Sequence, residues 1–110
     1  MNSDYIYIIS NEQNYIKVGV SKNPERRIKQ LQTGNEHQLS LLFKEEFNCS
    51  RNHLLKIEKE LHKKLKQMTT KSIGEWFLLD KCKIDNVKNI ITFYRIRYED
   101  DILAFNKKYH

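Results

Sequence analysis

One carboxylate in this 110-residue chain stands where an apolar side chain would be expected. Leu54, Ile57, Leu61, Leu65 and Met68 draw an apolar stripe on a helix expected over 51–68, and Glu58 falls within that arc, between the directions of Leu54 and His62. Burying a lone carboxylate is costly. Glu58 therefore needs either a basic neighbour, with Arg27 and Lys17 as candidates, or a divalent cation. A second group of residues lies earlier in the chain. Tyr15, Lys17, Gly19 and Ser21 alternate along one face of a strand whose other face, Ile16, Val18 and Val20, is apolar. A hairpin turn centred near Glu12 sets Tyr7 opposite Lys17 and adds a phenol to the polar face. Arg26 and Arg27 follow at the start of a helix. A phenol, an ammonium and a guanidinium beside a bare backbone glycine are a group suited to gripping a phosphate.

The elements that must position these residues are legible from pattern. Tyr5 to Ser10 and Tyr15 to Val20 are rich in β-branched and aromatic residues and read as paired strands. Asn23 caps a helix that carries Pro24 at its first position and stops before Gly34. Ile28 and Leu31 mark its buried side; Arg27 borders that side and Arg26 points away. Leu39, Leu41, Phe43 and Phe47 share one parity, which predicts a third strand over 38–47. On the helix over 51–68, Lys56, Lys59, Lys63 and Lys66 lie towards the opposite side from the apolar stripe, and Glu60 lies outside it. His62, one turn beyond Glu58, either lines the same cleft or packs and hydrogen-bonds at the helix edge. Residues 74–79 read as a short final strand, with Trp76 and Phe77 as core and lid rather than base-stacking platforms. Val87, Ile91, Tyr94, Tyr98, Ile102 and Phe105 then recur at helical spacing, predicting a helix from Asp85 to about Lys107. A break in it, if there is one, falls at Glu99-Asp100-Asp101.

Composition bounds the rest. The length suits one small α/β domain: a mainly antiparallel sheet of three to four strands flanked by helices, with a long C-terminal helix. No apolar run is long enough to span a bilayer. The start MNSDYIY lacks the basic flank and apolar stretch of a signal peptide, so the expected location is cytoplasmic, with no membrane partner. Lys and Arg exceed Asp and Glu by 20 to 14, a net charge of +6 that suits a polyanion without requiring one. Cys49 with His53 offers at most two metal ligands where zinc takes four, so Cys49 and Cys82 read as reduced thiols.

Several of these residues also fall in a familiar order. Tyr5-Ile6-Tyr7, then Lys17-Val18-Gly19, then Arg27 resembles the GIY-YIG nuclease superfamily, and more closely its small-domain branch whose second motif begins with lysine. The run RRIKQLQTGN from Arg26, the pattern Glu58-x-x-Leu61-His62 and the late Gly74-Glu75-Trp76-Phe77 extend the likeness over Asp4 to Leu79. Tyr5 stands where the broader pattern has its first glycine and Lys17 where it has its second tyrosine; no late asparagine is placed. The resemblance implies a nuclease domain over 1–80, followed at 81–110 by an amphipathic helix packed on the same domain or on a partner, including a second copy of the chain. It implies a metal-dependent endonuclease acting on nucleic acid, DNA ahead of RNA. Glu58 would hold one Mg²⁺ or Mn²⁺, Arg27 would stabilise charge on the phosphoryl oxygens, and Tyr7 would orient or deprotonate the attacking water. Lys17 would hold the phosphate or sit beside Tyr7 and favour its phenolate. Gly19 would let the backbone come close, with Ser21, Arg26 and His62 as further nucleic-acid contacts. The alternatives from other classes are a binding module of the same fold without cleavage and a partner-binding subunit that uses the C-terminal helix.

Overall fold

The computed structural model describes residues 4–109, and side chains for residues 4–98. Its elements are β1 (Asp4–Asn11), β2 (Tyr15–Ser21), α1 (Pro24–Gln32), β3 (Leu39–Phe47), α2 (Arg51–Met68), β4 (Ser72–Ile73), β5 (Trp76–Leu78) and α3 (Lys81–Tyr109). The strands form one antiparallel sheet in the order β3-β1-β2-β5-β4. The expected α/β architecture is present. The single final strand expected over 74–79 is instead a small hairpin, β4 and β5, turning at Gly74-Glu75.

The β1–β2 register differs from the one expected. Tyr7 lies opposite Gly19, and it is Ile9 that faces Lys17. The loop holds three residues, Glu12, Gln13 and Asn14, between the strands. Asn14 takes a left-handed conformation at φ 67, and the Asn11 side-chain oxygen accepts from the amides of Gln13 and Tyr15 at 2.8 and 3.1 Å. That centres the turn on Gln13 rather than Glu12. The shift moves each partner by two residues, so Tyr7 keeps its place on the Lys17 face.

Each face of the sheet carries its own apolar layer. Ile6, Ile8, Ile16 and Val18 meet Leu54, Ile57, Leu61 and Leu65 of α2 and Ile84, Val87 and Ile91 of α3. Tyr7, Ile9 and Leu39 meet Ile28 and Leu31 of α1 on the other side. β3 serves both layers, because its pairing with β1 slips between Ile8 and Ile9: Ile8 faces Phe43, while Ile9 faces Leu41. Leu42 is the extra residue of this bulge. Leu39 and Leu41 therefore turn to α1, whereas Phe43 and Phe47 turn to α2 and α3, although all four share one parity.

α3 starts at Lys81, earlier than the expected Asp85, because the Asp80 carboxylate accepts from the Lys83 amide at 2.9 Å and caps it. It runs on through 99–101 without a break. Ile102 and Phe105 of the expected stripe lie outside the described side chains. Cys49 and Cys82 are free thiols. Among the described residues no helix is long and apolar enough to cross a membrane.

Candidate active site at the open edge of β2

β1 pairs with β2 from Ser10–Ile16 to Tyr5–Ser21, but β5 pairs with it only at Tyr15 and Ile16. Beyond Ile16 the outer edge of β2 is open. α1 overhangs this edge from one face of the sheet and α2 from the other. A concavity of ≈ 510 Å³ runs along it, with Lys17, Gly19, Ser21 and Lys22 in its floor, Arg27 from α1, and Arg51 and Glu58 from α2. Tyr7, Val18, Val20 and Glu75 complete the lining. The residues expected to converge thus share one cleft, wrapped round a strand edge rather than laid on one sheet face.

Tyr7 is 2 % exposed, and its ring lies across Gly19. A Cβ at residue 19 would stand 2.3 Å from Tyr7 Oη and 2.5 Å from Cζ. Gly19 therefore makes room for the phenol, and it also lines the cleft. Tyr7 Oη has no hydrogen-bond partner among the described residues, and no fully buried side-chain oxygen there lacks one. The hydroxyl accordingly opens into the cleft.

The charges of the cleft are unevenly paired. Lys17 Nζ lies 2.6 Å from Glu75 Oε2, so the ammonium expected beside Tyr7 is engaged across the mouth of the cleft. The hydrogen bond from Lys17, with its charge, holds the Glu75 carboxyl below the usual carboxylate range. Arg51 Nη1 donates to the buried Asp4 at 2.8 Å. Arg27 makes only a long 3.4 Å contact to the Gln30 side chain. Lys22 and Glu58 have no hydrogen-bond or ion-pair partner among the described residues. Glu58 is half-buried and is paired with neither Arg27 nor Lys17, so the structural ion pair weighed from the sequence is not formed.

Two residues expected as contacts lie outside the cleft lining. His62 Nε2 donates to the Val18 carbonyl at 2.9 Å, which ties α2 to β2 and leaves the ring outside the cleft lining. Arg26 lends its backbone amide to the Asn23 cap at 3.0 Å, and its exposed side chain is likewise outside the lining. The sequence reading missed Lys22, Arg51 and Glu75. Arg51 precedes Glu58 by seven residues, two helical turns, and that spacing was available as a signal.

Among known protein families, residues 4–93 match the T5orf172 domain. The chain belongs to the T5orf172 domain family. This family has a GIY-YIG-like fold and is associated with endonuclease-like proteins. The match to the T5orf172 domain continues beyond the β-sheet into α3 as far as Phe93, over the helical turns that bury Ile84, Val87 and Ile91. No curated protein and no solved structure matches the chain.

The donor set of the cleft can be tested against a cation. Among the described residues no three His, Cys, Asp or Glu side chains group to hold a metal. One unpaired carboxylate facing an open cleft does not suit Zn²⁺, which takes three or four protein ligands. It fits Mg²⁺ or Mn²⁺, since Mg²⁺ keeps several waters and is often bound through one or two carboxylates plus substrate phosphates.

Proposed function

We propose that this T5orf172 domain is an endonuclease that hydrolyses nucleic-acid phosphodiester bonds, DNA foremost, with a divalent cation at Glu58. One observation carries the reading: Glu58 and Arg27 line the same cleft, and neither neutralises the other. A cleft built only to bind phosphate gains nothing from an unpaired carboxylate, which repels the ligand.

Glu58 would hold one Mg²⁺ or Mn²⁺, which supplies Lewis acidity to the phosphate and its leaving oxygen. The remaining work falls to the chain. Arg27, paired with no carboxylate among the described residues, binds the phosphoryl oxygens and stabilises the charge that grows on them as water attacks. Tyr7 Oη, fixed over Gly19 and without a partner among the described residues, orients the attacking water or takes its proton. Lys17 can turn from Glu75 to a phosphate oxygen, because Glu75 is 63 % exposed and is readily solvated when released. In this reading the motif Tyr5-Ile6-Tyr7, Lys17-Val18-Gly19, Arg27 and Glu58 is the working part of a GIY-YIG-type site.

The test is cleavage of end-labelled single- and double-stranded DNA and RNA in Mg²⁺, in Mn²⁺ and in EDTA. Scission of DNA is expected with either cation and none in EDTA. Salt-sensitive binding without scission of any substrate would replace the nuclease with a binding module. Cleavage undiminished in EDTA would remove the cation from Glu58.

A further inference from the structure

A second concavity, of ≈ 320 Å³, adjoins the cleft. The two share Lys22 and Arg51 in their linings, so those side chains form the sill between them. Beyond the sill the second concavity is lined by Asp4, Cys49 and Ser50. Asp4 is a buried charged residue of the sheet, at 2 % exposure, and its carboxylate is taken up by Arg51. Burial, with the nearby charge of Asp4, raises the Cys49 thiol above its usual pKa, so it adds no negative charge. Ser50 Oγ accepts the His53 amide at 3.2 Å. The unpaired charge on the sill is the Lys22 ammonium, and beside it Arg51 keeps donors that Asp4 does not use.

Arg51 is anchored at one end and open at the other. Its side chain is 50 % exposed, yet one nitrogen is anchored on a side chain that is 3 % exposed. A guanidinium carries five donors in a rigid fork, so anchoring one edge points the others outward with little entropy left to lose on binding. Lys22 beside it is exposed and unpaired among the described residues.

We propose that Lys22 and Arg51 form a second phosphate subsite, at which the nucleic-acid strand leaves the cleft and crosses the first turn of α2. The proposal rests on the nuclease reading and adds the path of the strand. The phosphate next to the one being cleaved is held there, which fixes the register of the scissile bond over Tyr7, Arg27 and Glu58. Asp4 is a positioning residue: it acts on the strand only through Arg51.

The experiment is the salt dependence of DNA binding, measured in EDTA so that no strand is cut. Wild type is expected to bind with a steep negative slope of log K against log [salt]. Lys22→Gln is expected to reduce the magnitude of that slope by about 0.7–0.9, one phosphate contact, and to lower affinity equally for unrelated sequences. Arg51→Gln is expected to do the same. Should it unfold because Asp4 is left buried and unpaired, Lys22→Gln decides alone. Lys63→Gln, on an exposed lysine paired with Glu60, is expected to keep the wild-type slope. A wild-type slope in Lys22→Gln overturns the subsite and leaves the nuclease reading standing. A wild-type protein with no affinity for DNA or RNA overturns both.

Discussion

Glu58→Gln is expected to slow cleavage by about 10³-fold, the effect of losing roughly 4 kcal/mol of transition-state stabilisation when the cation loses its charged ligand. The same variant should melt at the wild-type temperature or slightly above it. Glu58 has no ion-pair partner among the described residues, so its charge contributes no pairing energy, and removing a half-buried unpaired carboxylate is neutral or favourable. Nucleic-acid affinity should rise a few-fold, because one repulsive charge leaves a cleft lined by four cations. Glu60→Gln is the control: this exposed residue makes a 3.6 Å surface pair with Lys63, and its loss should change neither rate nor melting temperature appreciably. A Glu58→Gln protein that loses several kcal/mol of stability would mean that the carboxylate serves packing instead.

Gly19→Ala is the second large effect, and it acts through Tyr7. The new methyl carbon would fall 2.3 Å from the phenolic oxygen and 2.5 Å from Cζ of a ring that is 2 % exposed. Neither the strand nor the buried ring has room to yield, so overpacking of about 1–3 kcal/mol is expected, visible as a fall of several degrees in Tm. Cleavage should fall further than stability, since the hydroxyl leaves its place over the cleft. Adding Tyr7→Phe should not restore stability, because Cζ remains in conflict after the oxygen is gone. Adding Tyr7→Val, which removes the ring, should relieve the clash. A Gly19→Ala protein with wild-type stability and rate would show that the phenol is not held against the strand.

Local pattern carried much of this fold and left specific parts unread. Alternation along Tyr15–Ser21 separates the polar and apolar faces of β2, and the Asn23-Pro24 pair marks the start of α1; both signals are local and both elements form there. The turn centre was missed by one residue, because Asn14 at positive φ makes a three-residue loop that the run Asn11–Asn14 does not distinguish from other loops. The bulge at Leu42 has no signature of its own in a run of alternating leucines and phenylalanines, so a single-face reading of β3 was the natural one. Glu58 stood out because a carboxylate in an apolar arc is a local anomaly. Its freedom from Arg27 and Lys17 was not legible, since it depends on pairings distant in sequence. Lys17 is satisfied by Glu75, 58 residues away, and Arg51 by Asp4, 47 residues away. The cleft itself follows from where β5 stops pairing with β2, a tertiary fact with no residue to announce it.

In the proposed mechanism Tyr7 and Glu58, reaching the cleft from a strand and from a helix on the far side of the sheet, serve one phosphate. The most direct measurement is the single-turnover cleavage rate of labelled DNA in Mg²⁺ by wild type, Tyr7→Phe, Glu58→Gln and the double variant. Groups that act as a unit on one reaction are strongly non-additive. Each single change is expected to slow cleavage by about 10²-fold or more, and the double variant to be scarcely slower than Glu58→Gln alone. A double variant slowed by the product of the two single factors, or a wild-type rate in either single variant, would contradict it.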